Sequence, residues 1–140
     1  SSIALTFFIP LLLGSGGNTG SQSSTIMVRG LATGDVEVNQ WAASLGKELT
    51  VGLALGATMG LTGVLLGTWK GGLTIALIVG LTMMIIIVVA NLIGVILPLI
   101  LTKLDLDPAV ASNPLITSIT DATGLIIFFS ISQWIMAWIH

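Results

Sequence analysis

Asp121 is the only acidic side chain in the last long apolar stretch of this chain, with Thr117 and Asn113 four and eight residues behind it and Gly124 three ahead. An ionised group within hydrocarbon costs about 3 kcal/mol on insertion scales, so it faces water, a partner or an ion rather than lipid. On a helix Asn113, Thr117 and Asp121 form one row, with Thr120 beside it and Gly124 continuing it. If that helix begins near Pro108, Asp121 lies about 20 Å along its axis. Pro114 brings no amide, which leaves the carbonyl of Val110 open to water or a cation. Gly124 removes a side chain where something must approach the backbone. Amide oxygen, hydroxyl, carboxylate and carbonyl are all hard oxygen ligands, and no imidazole or thiolate accompanies them. Such a set suits magnesium, calcium and manganese, whereas zinc and copper prefer nitrogen and sulfur. Magnesium gives up its waters reluctantly, so one or two carboxylates and some carbonyls can hold it as a hydrated ion. A two-fold dimer doubles the single carboxylate at its axis. The structural alternative is a buried carboxylate paired with Arg29 or hydrogen-bonded to its Thr and Asn neighbours.

A second polar row, Ser15, Asn18, Gln22 and Arg29, runs along the first apolar segment, with Ser23 and Thr25 nearby. Its glycines Gly14, Gly16, Gly17 and Gly20 permit a kink or close packing against the Asp121 row. Asn18 and Gln22 are thus candidates to line a pore, together with Thr120 and Val110. Asn91, Gly94 and Pro98 share one side of the third segment, where a kink is the simpler reading. Asp107 precedes Pro108 at a helix start, so it is either an N-cap or part of a cation vestibule with Asp105. No nucleophile with its base can be assembled, which argues against an enzyme.

The elements that must carry these residues are membrane spans. Of the 140 residues 54% are hydrophobic and 7% charged, and a span needs about 20 apolar residues. Four continuous stretches qualify, over about 3–28, 50–68, 73–102 and 108–139, in one all-α pore domain covering 1–140. Continuous rather than alternating hydrophobicity excludes a β-barrel. Without cysteine there is no disulfide or thiol chemistry, and a net charge of −2 without a basic patch excludes nucleic acid. The helical spacing of Val38, Trp41, Ala42, Leu45 and Leu49 predicts a short interfacial helix over 36–48. Basic residues place the connections at 29–49 and 103–107 in the cytoplasm, which leaves Ser1 outside and predicts a further span upstream. In the second segment Gly52, Gly56 and Gly60, then Gly63 and Gly67, form ridges for close packing, more simply within one subunit than between two.

Two strings, GGNTGSQSSTIMVRGLATGDV from Gly16 and DPAVASNPLITSITDATGLIIFF from Asp107, resemble the signature stretches of the MgtE magnesium channel family. The resemblance covers nearly the whole chain. It implies a homodimeric, magnesium-selective channel in the cell membrane, its pore along the dimer axis and lined by the first and last segments. Asp121 resembles the family's central carboxylate, which holds hydrated magnesium with backbone around Thr117 and Gly124. Asn113 resembles an asparagine nearer the cytoplasmic end, Asn18 falls in the matching stretch of the other pore helix, and Asp107 resembles an aspartate that binds regulatory magnesium. Some eukaryotic relatives are exchangers, so coupled transport is the alternative. Family members carry a first transmembrane helix and often a cytoplasmic regulatory domain with CBS modules, neither of which lies in these residues.

Overall fold

The computed structural model describes residues 2–140, which are almost entirely helical. A short helix α1 (Ser2–Thr6) leads into α2 (Ile9–Thr33), α3 (Trp41–Lys103) and α4 (Asn113–Ile139). Among the described residues three helical stretches are long and apolar enough to cross a membrane: Ile3–Thr33, Val38–Lys103 and Asn113–Ile139.

Pro10 sits in the first turn of α2, where its missing amide costs nothing, and the helix runs unbroken through the glycine-rich stretch. Those glycines are packing surface. Gly16, Gly17 and Gly20 are buried, and a Cβ at Gly20 would lie 3.1 Å from Ile116 and Thr120 and 3.2 Å from the carbonyl of Ala90. The helix stops at Gly34 in the left-handed region (φ 80°), after which the amide of Val36 donates back to the carbonyl of Gly30 at 3.0 Å.

The polar connection that follows is shorter than the 29–49 expected. A single 3-10 turn, Val38–Gln40, leads directly into α3 at Trp41. No separate helix over 36–48 is found, because nothing between Ala42 and Thr50 interrupts the helical ladder. Residues 41–48 are the first turns of α3, and the Thr50 hydroxyl donates to the carbonyl of Gly46 at 2.9 Å.

Similarly, the second and third segments are joined by one residue rather than a loop. Gly72 alone leaves helical geometry (φ 81°, ψ −169°), a conformation open essentially only to glycine. The two arms of α3, 41–71 and 73–103, fold back on each other. A Cβ at Gly67 would meet Ala76, one at Gly63 Val79 and Gly80, one at Gly56 Met84, and one at Gly52 Val88 and Asn91. The glycine ridges therefore close a hairpin within the chain, as expected. The second arm remains helical through Pro98.

Leu5, Phe8 and Leu12 of the N-terminal stretch join Ile75, Ile78, Val79, Met83, Ile86 and Ile87 of the second arm and Phe128 and Ile135 of α4 in the main core. A smaller cluster, Met27, Val95 and Leu99, closes the other end under Leu31, Val36 and Leu45.

Candidate functional site

The chain enters α4 through two prolines. Asp107 caps a 3-10 turn over Pro108–Val110, its Oδ1 accepting from the amide of Ala109 at 2.9 Å. The helix proper starts at Asn113 with Pro114 in its first turn. It does not run continuously from Pro108: Ala111 and Ser112 leave helical geometry (ψ 58° and 164°), which spares the Pro114 ring a clash with the carbonyl of Val110. Two corrections follow. The Val110 carbonyl is not bare, since it accepts from the amide of Ser112 at 2.7 Å. Asp121 lies about 12 Å into the helix rather than about 20 Å.

Along α4 the polar residues divide between two faces. Asn113 is exposed, and Thr117 and Asp121 are half-buried, in one row at four-residue spacing. Thr120 and Gly124 are buried on the neighbouring face. The Thr120 hydroxyl donates to the carbonyl of Ile116 at 2.9 Å, with that of Thr117 at 3.1 Å. What approaches Gly124 is this chain's own Leu13, which a Cβ there would meet at 2.9 Å, and Ile86. Thr120 and Gly124 thus seat α4 on α2 and α3, and the less buried row is Asn113, Thr117 and Asp121. The other side-chain hydrogen bonds of α4 among the described residues run from Thr123 and Ser132 to carbonyls one turn back, and none uses Asp121.

The face of α2 next to this row is also open. Asn18 and Gln22 are exposed while Gly16, Gly17, Gly20, Ser23 and Ser24 point inward. Gln22 and Asn113 line a common groove of about 240 Å³ with Ser21, Thr25 and Ile26. It is continued by a second, of about 310 Å³, where Asn113 meets Arg29, Ala32 and Ser112. Thr117 closes on α2 higher up, where a Cβ on Gly17 would lie 3.5 Å from its methyl group. The seam between α2 and α4 therefore brings together Gln22, Asn113 and Thr117. Arg29, the alternative partner for Asp121, opens onto the Asn113 groove instead. Asp107 and Val110 remain exposed at the turn. No three His, Asp or Glu side chains among the described residues converge into a metal cage.

One polar cluster was not assembled from the sequence. The Ser23 hydroxyl of α2 lies 3.0 Å from Glu48 Oε2 and 3.1 Å from the carbonyl oxygen of Asn91, joining α2 to both arms of α3. The available signal was the position of Glu48, four residues before Gly52 on the packing ridge.

The family model described as a divalent cation transporter, MgtE, matches residues 9–131. The magnesium transporter MgtE of Thermus thermophilus is 42% identical over 133 residues, covering 95% of this chain and 30% of that protein. Those of Enterococcus faecalis and Bacillus subtilis are 39% and 33% identical over 94% and 99% of this chain and 29% and 30% of their own lengths. The chain thus spans a little under a third of the relatives it matches. With both signature strings inside the matched region, the chain belongs to the MgtE family.

Proposed function

We propose that this chain is a pore-forming membrane part of a magnesium transporter, in which two copies meet along the open seam of α2 and α4 and pass hydrated Mg²⁺ between them. The observation that carries the reading is the Asn113, Thr117 and Asp121 row. It puts a carboxylate on an apolar helix, and the chain's own packing covers it only in part and gives it no hydrogen-bond partner among the described residues. A charge so placed is costly in a bilayer unless ions or water meet it. The names of the three relatives point to magnesium as that ion.

In this reading each arm of α3 crosses the membrane, since residues 41–71 and 73–103 each extend roughly 46 Å against a hydrocarbon core of about 30 Å. With α2 and α4 that makes four crossings, with the connections after Thr33 and after Lys103 on the cytoplasmic side. Magnesium holds its water ligands strongly, so Asp121 receives the hydration shell rather than the bare metal. The Asp121 carboxylate accepts hydrogen bonds from the ion's waters, and two copies supply two negative charges to one divalent cation. Asn18, Gln22 and Asn113 offer neutral amides along the approach, and Asp107 and Asp105 raise the local cation concentration at its mouth. Thr120 and Gly124 hold α4 in place, with no direct part in ion contact.

The test is magnesium flux in proteoliposomes containing the full-length protein, read with an entrapped magnesium indicator. Uptake driven by a magnesium gradient alone, and lost in Asp121→Ala, supports a channel built on Asp121. Uptake that requires a sodium or proton gradient would replace the channel by an exchanger, and undiminished uptake by Asp121→Ala would overturn the site.

A further inference from the structure

Glu48 heads the row Glu48, Gly52, Gly56 and Gly60 that the first arm of α3 turns towards the second. Its backbone carbonyl accepts from Asn91 Nδ2 at 3.5 Å, and its carboxylate accepts from Ser23 of α2. Ser23 and Asn91 are 5% and 3% exposed and Glu48 is half-buried, so the bonds that join the helices are partly shielded from water. Here α2 also approaches the second arm backbone to backbone. A Cβ on Gly94 would stand 2.5 Å from the carbonyl oxygen of Gly20 and 2.7 Å from Cβ of Ser23. Backbone contact fixes the distance between these helices, but a smooth glycine contact resists rotation of α2 about its own axis only weakly. A directional hydrogen bond from Ser23 opposes that rotation.

Successive side chains on a helix point about 100° apart. Gln22, next to Ser23, consequently faces the outer groove it shares with Asn113, and any turn of α2 carries Gln22 and Asn18 with it. On its other neighbour, the Ser24 hydroxyl donates to the carbonyl of Ala111 at 3.0 Å, in the turn that leads to α4. Two adjacent serines thus tie α2 to α3 and to the start of α4. A hydroxyl carries one proton, and of the two acceptors near Ser23 the charged carboxylate is the stronger.

We propose that Glu48 is a positioning residue for the ion pathway: through Ser23 it fixes the rotation of α2 and so aims Asn18 and Gln22 at the seam. For its transport readout this rests on the function proposed above; its structural readout does not. If Glu48 is removed, the backbone contact at Gly94 keeps the helices packed, and the Ser23 proton is re-aimed from the first arm to the Asn91 carbonyl of the second, at 3.1 Å, so the effect is a changed rotation of α2 rather than loss of packing.

The 140 residues contain no cysteine, so Gln22→Cys introduces the one thiol of this region. In proteoliposomes of the full-length protein, its modification rate by a membrane-impermeant maleimide reports which way α2 faces. Glu48→Ala and Ser23→Ala are each expected to shift that rate by about threefold or more and to lower magnesium uptake about tenfold, and the pair together is no worse than either alone. Glu48→Gln, whose amide oxygen still accepts from Ser23, is expected to restore both. If Glu48→Ala fails to insert, Ser23→Ala carries the same expectation. An unchanged labelling rate in Ser23→Ala would overturn the proposal, as would a Glu48→Gln variant as impaired as Glu48→Ala, which would assign the role to the charge itself. Absence of magnesium uptake by the unmodified protein would sink the proposed function and leave the labelling result to decide the role of Glu48.

Discussion

With the role proposed for Asp121, stability and function pull in opposite directions there, and that opposition can be measured. A carboxylate that only braced the fold would be held by hydrogen bonds, and its loss would destabilise the chain. The Asp121 carboxylate lies half-open on α4, whose side-chain bonds among the described residues pass it by. Asp121→Asn keeps the shape and removes the charge, and with it much of an insertion cost of about 3 kcal/mol. The variant is expected to melt at a higher temperature in detergent while magnesium uptake falls about a hundredfold. A lower melting temperature would mark the carboxylate as structural. Thr82 presents a simpler case. Its hydroxyl is fully buried and has no hydrogen-bond partner among the described residues. Because a stranded polar group costs about 1–3 kcal/mol, Thr82→Val is expected to raise stability by about 1 kcal/mol in a denaturation series. Equal or lower stability would mean that the hydroxyl is satisfied by water.

Helices brought together by glycine have no side chains to yield when something is added. A Cβ at Gly56 would come 2.9 Å from the carbonyl oxygen of Met84, a backbone atom that cannot move alone. Gly56→Leu is therefore expected to cost about 3 kcal/mol or more and to appear as poor recovery of folded protein, whereas Gly46→Ala, with nothing within 4 Å of the new methyl, should be neutral or slightly stabilising. Comparable losses in both would mean that packing does not set the cost. The hairpin was legible in the sequence because hydrocarbon dictates composition: apolar runs set the segments and glycines at four-residue spacing set the contact face. The tightness of its turn was not, since Lys70, Gly71 and Gly72 read as a loop and only the backbone geometry reduces it to Gly72. The start of α4 was misjudged for a related reason. Pro108 and Pro114 both suit a helix start, and the choice between them moved Asp121 by more than a turn. Thr120 and Gly124 were grouped with Asp121 by spacing, yet steps of one and three residues at about 100° each lead off its row onto the packed face. The role of Glu48 is not legible in the sequence, because a lone acid on a polar stretch gives no sign of a serine from another helix.

In the whole molecule two of the exposed polar residues, Gln22 of α2 and Asn113 of α4, share one groove. Thr117 and the half-buried Asp121 follow Asn113 along one row of α4, and exposed Asn18 lies one turn from Gln22 on α2, while the first arm of α3 exposes Leu61 and Leu65, by 65% and 67%. Lipid can cover the leucines at no cost, but it cannot cover the seam. In the function proposed above, a two-fold copy of the seam supplies the second polar surface that lipid cannot. Near a two-fold axis a residue lies opposite its own counterpart, so a single cysteine there can be linked across copies. Asn113→Cys in native membranes is expected to give a covalent dimer on mild oxidation, reversed by reductant, while Leu65→Cys under the same conditions stays monomeric. Magnesium present during oxidation should alter the yield at Asn113 if the ion bridges the two copies, and leave Leu65 unaffected. Efficient linkage at Leu65 with none at Asn113 would place the contact on α3 and move the ion path away from Asp121.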